Sequence, residues 1–268
     1  MEYDPIKDKL GHIFKSPLSR KLFYNLLDLL LLRAWHVHKS LKEWFNKYPS
    51  GAKILDAGCG FGQYSYYIAK RNPNYDITAV DVKEDYLADC KQFLNDINIK
   101  NVHFLVDDLV TYQSPNTYDL IISVDVMEHI LEDVEVFKNF HASLKSGAML
   151  IINTPSDQGG SDVKEEGQES FIGEHVRDGY NIEDITAKLN SVGFNKVDAR
   201  YTYGSPGKIS WKLSMKYPMT LLNISFLFIL ILPFYYLITY PFAFVLNYFD
   251  INGRHKTGTG LNVRAWKD

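Results

Sequence analysis

The stretch Lys53-Ile54-Leu55-Asp56-Ala57-Gly58-Cys59-Gly60-Phe61-Gly62 constrains the fold more than any other part of the chain. A short apolar run ends in an acid and passes at once into glycines spaced Gly-x-Gly-x-Gly. A helix-compatible segment, Gln63 to Arg71, follows. Glycine lets the backbone approach a ligand closely and adopt positive φ without a Cβ clash. The helix that starts there offers free N–H groups and a partial positive charge. Strand, glycine turn and helix N-terminus together predict a nucleotide or nucleoside site on an α/β sheet.

The spacing narrows the ligand. The dinucleotide fingerprint is Gly-x-Gly-x-x-Gly. Here Gly58 and Gly60 fit, but Gln63 stands at the last position and the third glycine comes one residue early, at Gly62. A second apolar segment, Tyr75 to Val80, ends in Asp81, where a carboxylate can accept both hydroxyls of a ribose. A third, Val102 to Val106, ends in Asp107-Asp108-Leu109, where an acid can accept from an adenine amino group.

These segments, with Tyr118-Asp119-Leu120-Ile121-Ile122-Ser123-Val124-Asp125-Val126-Met127-Glu128-His129, resemble the class I S-adenosylmethionine-dependent methyltransferases over about residues 50 to 200. The resemblance implies S-adenosylmethionine as cofactor. It implies a cofactor site made by Asp56, Gly58, Gly60, Gly62, Asp81, Val82, Asp107, Asp108, Leu109 and Val124. Asp81 would hold the ribose, and Asp108, or else Asp107, the adenine amino group. Leading helices in this family cover the cofactor. A Rossmann-like fold binding NAD is the competing reading, and the glycine spacing counts against it.

Elsewhere, strands are expected near 53–57, 76–80, 102–106, 119–124 and 148–153, and helices near 63–71, 84–96, 131–145 and 181–192. This alternation predicts a Rossmann-like, seven-stranded, mostly parallel sheet with helices on both faces. Phe194–Tyr203 and Gly260–Trp266 supply the last two strands. Residues 17 to 48 read as one or two helices, and Pro155 to Gly173 as a mobile loop over the site. The expected organisation is a helical cover (1–50), a core (51–207 and 257–268) and an apolar helical insert (208–256).

A net charge of −3 without a basic run argues against nucleic acid as partner. Cys59 and Cys90 lack metal-type spacing and read as reduced thiols of a cytosolic setting. The opening Met1-Glu2-Tyr3-Asp4-Pro5 has neither the basic start nor the apolar run of a secretion signal.

Asp125-Val126-Met127-Glu128-His129 follows the fourth strand, at the carboxyl end where open α/β sheets bind ligands. A second polar cluster runs Gly173-Glu174-His175-Val176-Arg177-Asp178-Gly179-Tyr180. Together they resemble the ubiquinone-biosynthesis O-methyltransferases and their relatives. They also resemble small-RNA 2′-O-methyltransferases, in which two acids and two histidines hold a divalent ion. Carried over by position, the metal ligands would be Asp125, Glu128, His129 and His175, with Asp125 standing where Glu is usual. His129 or His175 is expected as the base that takes the acceptor's proton, with Glu128 beside it.

Tyr217 to Phe249 contains no charged residue. A single membrane crossing would separate the sixth and seventh strands, and two crossings need about 40 residues plus a turn. The expectation is therefore an interfacial or re-entrant hairpin bent at Pro233 and Pro241. Lys208, Lys212 and Lys216 stand before it and Arg254, His255 and Lys256 after it, facing anionic headgroups. A dimer interface or an enclosed substrate tunnel is the alternative use of the same surface. The reading as a whole is a methyltransferase peripheral or monotopic on the cytoplasmic face of a membrane, acting on oxygen of a hydrophobic or lipid-like small molecule. Transfer to carbon or nitrogen is the runner-up, and an NAD-linked oxidoreductase or a non-catalytic membrane scaffold stands further off.

Overall fold

The computed structural model describes residues 16–159 and 176–268. Seven strands form one sheet: β1 (Lys53–Ala57), β2 (Asp76–Asp81), β3 (Val102–Val106), β4 (Tyr118–Val124), β5 (Leu144–Pro155), β6 (Lys196–Thr202) and β7 (Gly260–Trp266). Their order is β3-β2-β1-β4-β5-β7-β6. The first five pair in parallel, and β7 runs antiparallel between β5 and β6. The chain reverses strand order after β3, which leaves a crevice at the carboxyl ends of β1 and β4.

Helices cover both faces because the central strands are apolar on both. Ile54, Ile77, Leu120 and Ile122 pack under α2 (Leu32–Lys47), through Val37, Leu41, Trp44 and Phe45, and under α3 (Gln63–Ala69), through Tyr64 and Ile68. Leu55, Ile121, Leu150 and Val263 point the other way, toward Phe137 and Phe140 of α5 (Asp133–Ser143) and Ile185 and Leu189 of α6 (Ile182–Ser191). Asn181 caps α6, its side chain accepting from the Asp184 N–H at 2.7 Å. A further helix, α4 (Glu84–Asp96), packs Phe93 and Leu94 against Phe23 and Tyr24 of α1 (Pro17–Leu30). The leading segment is thus two helices. They part at Leu31, which is buried and extended, and not at the charged residues beside it.

The expected apolar insert is a helical hairpin. Its first arm runs through α7 (Ser205–Trp211), a π-helical segment (Lys212–Lys216) and α8 (Tyr217–Ile224); its second is α9 (Leu232–Asn252). The chain turns back at extended Ser225 and a 3₁₀ stretch, Phe226–Leu230. The chain reverses at neither of the prolines expected to bend it. Pro233 sits in the first turn of α9, where its missing N–H costs no bond, and Pro241 lies inside that helix. Small residues let the arms approach: Ser210 Oγ donates to the Ala243 carbonyl at 3.1 Å and is 2.6 Å from Asn247 Oδ1. Among the described residues no helix is long and apolar enough to cross a membrane.

One buried carboxylate seats this hairpin on the core. Asp250, fully buried at the end of α9, accepts from the N–H groups of Tyr203 (3.1 Å) and Gly207 (3.0 Å) and meets His36 Nε2 of α2 at 2.8 Å. His255 Nε2 lies 3.2 Å from its second oxygen. His255, expected to face headgroups, is therefore turned inward. A Cβ at Gly207 would stand 2.4 Å from the same carboxylate, so only glycine fits.

Candidate active site

The glycine turn after β1 is shaped by two close approaches. Gly58 and Cys59 both donate to the Val80 carbonyl of β2, at 2.8 and 3.0 Å. Gly58 has a φ of +76°, and a Cβ there would fall 2.4 Å from Val126 Cγ2. The backbone thereby borders a cavity of about 370 Å³, of the size that takes a small-molecule cofactor.

Asp81 closes the end of β2 over this cavity. Its Oδ2 accepts from the Gly60 N–H at 2.8 Å and its Oδ1 from the Lys83 N–H at 3.0 Å, which fixes the carboxylate while leaving lone pairs for a diol. Val82 and Tyr86 flank it, and the Phe61 and Tyr86 rings stack 4.5 Å apart. Asp107 and Asp108 stand along the same wall. Each commits one oxygen to its own turn, to the N–H of Asp108 at 2.8 Å and of Val110 at 2.9 Å. Leu109 is buried against the cavity. Asp56 lies beneath the turn, its carboxyl 2.6 Å from Ser65 Oγ and pushed up to about 6 by burial.

Of the cofactor residues expected from sequence, all but Gly62 line the cavity. Gly62 instead begins α3 at a φ of +71°, with Cys90 Sγ 3.0 Å from where a Cβ would be. Its role is to turn the chain.

At the opposite end stand Asp125, His129, Val126 and Ile130. Asp125 has a φ of +53°, an uncommon conformation for a non-glycine residue, held by its N–H donating to the Asn153 carbonyl at 2.8 Å. Its carboxylate pairs with the Arg33 guanidinium of α2, which also lines the cavity. Of Arg33, His36 and His38 on α2, Arg33 borders the cavity. His36 belongs to the Asp250 cluster, and His38 stacks on Tyr67 at 3.7 Å.

Sequence reasoning missed Tyr64. It lies in the cavity wall, 8% exposed, and its phenol oxygen is buried without a hydrogen-bond partner. Burial raises its pKa, so it remains a donor. Arg33 and Tyr64 together suit a carboxylate. Gln63 and Leu27 were missed as well; a side chain from α1 in the cavity wall leaves no mark in the local pattern.

Glu128 was expected beside the base. It does not border the cavity: it is 1% exposed and receives Thr154 Oγ1 at 3.1 Å. Burial, then the Asp125 charge, pushes its carboxyl up to about 8, so it is a neutral acid at pH 7. His175 lies outside the described residues. The described members of the four-ligand set are not gathered at one point: Asp125 is paired with Arg33, His129 borders the cavity and Glu128 does not. Among the described residues no group of three or more His, Cys, Asp or Glu is arranged to hold a metal. The loop expected over the site falls mostly on residues 160–175, also outside the described residues. Just beyond it, Val176 donates to the Glu128 carbonyl at 3.0 Å, and Arg177 pairs with Asp133 and donates to the Ile130 carbonyl at 2.6 Å.

Residues 49–195 match the family model described as a methyltransferase domain, more than half of the chain. The chain belongs to the S-adenosylmethionine-dependent methyltransferases. It is 31% identical over 153 residues to a phosphoethanolamine N-methyltransferase of Triticum aestivum, covering 56% of this chain and 29% of that enzyme. It is 24% identical over 123 residues to a ubiquinone biosynthesis O-methyltransferase of Rickettsia akari, covering 46% of this chain and 48% of that one. The chain thus spans less than half the length of either relative. The fold is similar to that of phosphoethanolamine N-methyltransferase 2 of Haemonchus contortus, solved in complex with S-adenosyl-L-methionine, at a TM-score of 0.59 and 16% identity over 91% of this chain and 60% of that one.

Proposed function

We propose that this methyltransferase carries the methyl group of S-adenosylmethionine to an oxygen of a hydrophobic or lipid-like small molecule at a membrane surface. The observation that carries the reading is the polarity of the cavity. Asp81 presents a fixed carboxylate at one end, and His129 stands with the Arg33–Asp125 pair at the other. A nucleoside held by Asp81 and Asp108 directs its sulfonium toward His129. Arg33 and Tyr64 receive the carboxylate of the methionine part.

Methyl transfer is an in-line displacement. The acceptor oxygen bonds to the methyl carbon, the carbon–sulfur bond breaks, and S-adenosylhomocysteine leaves with the electron pair. The acceptor's proton goes to a base. His129 is the base at this cavity, and His175 is the second candidate. Positioning and exclusion of water supply much of the remaining acceleration.

Membrane association is supported by the hairpin. Its run from Tyr217 to Phe249 is free of charge, yet Ile224, Leu227, Leu230 and Leu237 are each more than 70% exposed. Exposed Lys212 and Lys216 lie along its first arm and exposed Arg254 and Lys256 follow α9, cations that would meet anionic headgroups on the cytoplasmic side. The wheat relative, named for an amine substrate, favours transfer to nitrogen as the second reading. The test is incorporation of labelled methyl from S-adenosylmethionine into a lipid and quinone-precursor panel, with products resolved by mass spectrometry. A methyl ether supports the first reading and a methylated amine the second. Cofactor binding without turnover on any acceptor contradicts both.

A further inference from the structure

Helix α1 carries two apolar faces. The inner one holds Phe23, Tyr24 and Leu27. Leu27 borders the cofactor cavity, while Tyr24 and Arg20 both donate to the Phe61 carbonyl of the glycine turn. The outer face carries Leu18, Leu22, Leu26 and Leu29, exposed by 81, 54, 39 and 41%. At ~3.6 residues per turn these four fall within an arc of about 80°. A stripe of that kind is unusual on a helix whose other side is already packed.

This stripe is joined to the hairpin. Tyr240 of α9 donates to the Leu29 carbonyl at 3.0 Å, Trp35 Nε1 donates to the same carbonyl at 3.1 Å, and the Trp35 and Phe244 rings meet edge to face at 5.0 Å. Four hydroxyls along the hairpin are satisfied within it. Tyr235 donates to the Leu213 carbonyl and Tyr236 to that of Ser214, each at 2.8 Å, and Thr220 and Thr239 bond back to carbonyls four residues earlier at 2.9 Å. That is the condition lipid imposes on polar groups. The one acid of α1, Asp28, is turned inward to Gln63 Nε2 at 2.7 Å.

We propose that the outer leucine face of α1 is a second membrane-contacting surface, continuous with the hairpin, and that its occupant is the interfacial layer of an anionic bilayer. Lys212 and Lys216 on the first arm, Arg254 and Lys256 after α9, and Lys21 beside Leu22 complement the headgroups. One helix then touches lipid on its outer side and the cofactor cavity on its inner side, so a hydrophobic acceptor reaches the cavity past Leu26 and Leu27. The inference rests on the membrane reading above and adds the contact surface to it.

The test is flotation of the full chain with phosphatidylcholine vesicles containing 30 mol % phosphatidylserine (about that fraction mimics an anionic leaflet), comparing wild type, Leu18→Glu/Leu22→Glu and the hairpin variant Leu230→Glu/Leu237→Glu. Both pairs are exposed and remote from the cavity, so S-adenosylhomocysteine binding reports that the variants are folded. The expected result is vesicle binding by wild type that weakens at least about tenfold in each variant, since losing even one buried leucine is worth that much. If the hairpin variant weakens and the α1 variant binds like wild type, the α1 proposal is overturned while the membrane reading stands. If wild type does not float with vesicles, both fall. If the α1 substitutions instead convert a dimer to a monomer in sedimentation velocity, the occupant is a second copy and the bilayer assignment is overturned.

Discussion

Asp250→Ala is the substitution whose cost follows most directly from the structure. The carboxylate is fully buried and receives two backbone N–H groups, those of Tyr203 at 3.1 Å and Gly207 at 3.0 Å, together with the rings of His36 and His255 at 2.8 and 3.2 Å. Alanine leaves two buried N–H donors unsatisfied, at about 1 to 3 kcal/mol each. A destabilisation of about 4 kcal/mol is expected, which at ~2 °C per kcal/mol for a chain of this size lowers Tm by roughly 8 °C. Asparagine keeps one acceptor oxygen and should cost about half as much. Acid dependence follows with a defined sign. Burial keeps His36 below its ordinary pKa despite the Asp250 partner, so the unfolded chain takes up that proton first and stability falls as pH drops below about 6.5. Burial opposes ionisation of Asp250, but the hydrogen bonds and charge of His36 and His255 and the Tyr203 N–H hold it below the usual carboxylate range. Its contribution is present above about pH 4 and is lost as pH falls through the lower folded value. Urea denaturation of wild type and Asp250→Ala at several pH values measures all of this. A change under about 1 kcal/mol at pH 7, or a variant that keeps the further loss of stability below about pH 4, would refute the assignment of Asp250 as the seat of the hairpin.

Other substitutions probe the cavity and its surroundings. Gly58→Ala forces a Cβ to within 2.4 Å of Val126 Cγ2 at a φ of +76° and should abolish S-adenosylhomocysteine binding in calorimetry; unchanged binding is the contrary result. Glu128→Gln mimics the neutral acid, so the stability that wild type loses as pH rises from the ordinary carboxylate pKa to about 8 should be largely retained in the variant, as urea midpoints at pH 6 and pH 9 (values roughly bracketing neutrality) will show. His129→Ala should lower kcat by about 10²- to 10⁴-fold with cofactor affinity little changed if His129 is the base, and full activity in both His129→Ala and His175→Ala removes histidine from that role. Tyr64→Phe should weaken the cofactor by about tenfold through one lost charge-assisted hydrogen bond, without loss of thermal stability, because its phenol has no protein partner to lose.

The parts of the fold written in local pattern were legible. Alternation of apolar strands with helices predicts all seven strands, and the acids at the end of β2 and just after β3 line the cavity because the carboxyl ends of the parallel strands open onto it. What was not legible depends on residues distant in sequence. Glu128 reads as a site residue beside Asp125, but the 3₁₀ turn Met127–His129 rotates it under Thr154 and leaves His129 in the cavity wall. Prolines mark bends by propensity, yet Pro233 starts a helix and the reversal falls at Ser225. His255 belongs to a basic cluster by sequence and to Asp250 by geometry. Arg33 enters the cavity from a helix that precedes the whole sheet, a contact across 92 positions in its pairing with Asp125.

The central claim is tested most directly by titrating S-adenosylhomocysteine into the full chain by calorimetry, alongside Asp81→Ala. The account predicts one saturable site in wild type. It predicts affinity lower by about 10- to 100-fold in the variant, the loss expected for charge-assisted hydrogen bonds to a diol. Absence of heat in a folded wild-type protein, or equal affinity in the two, would contradict a nucleoside held at the end of β2.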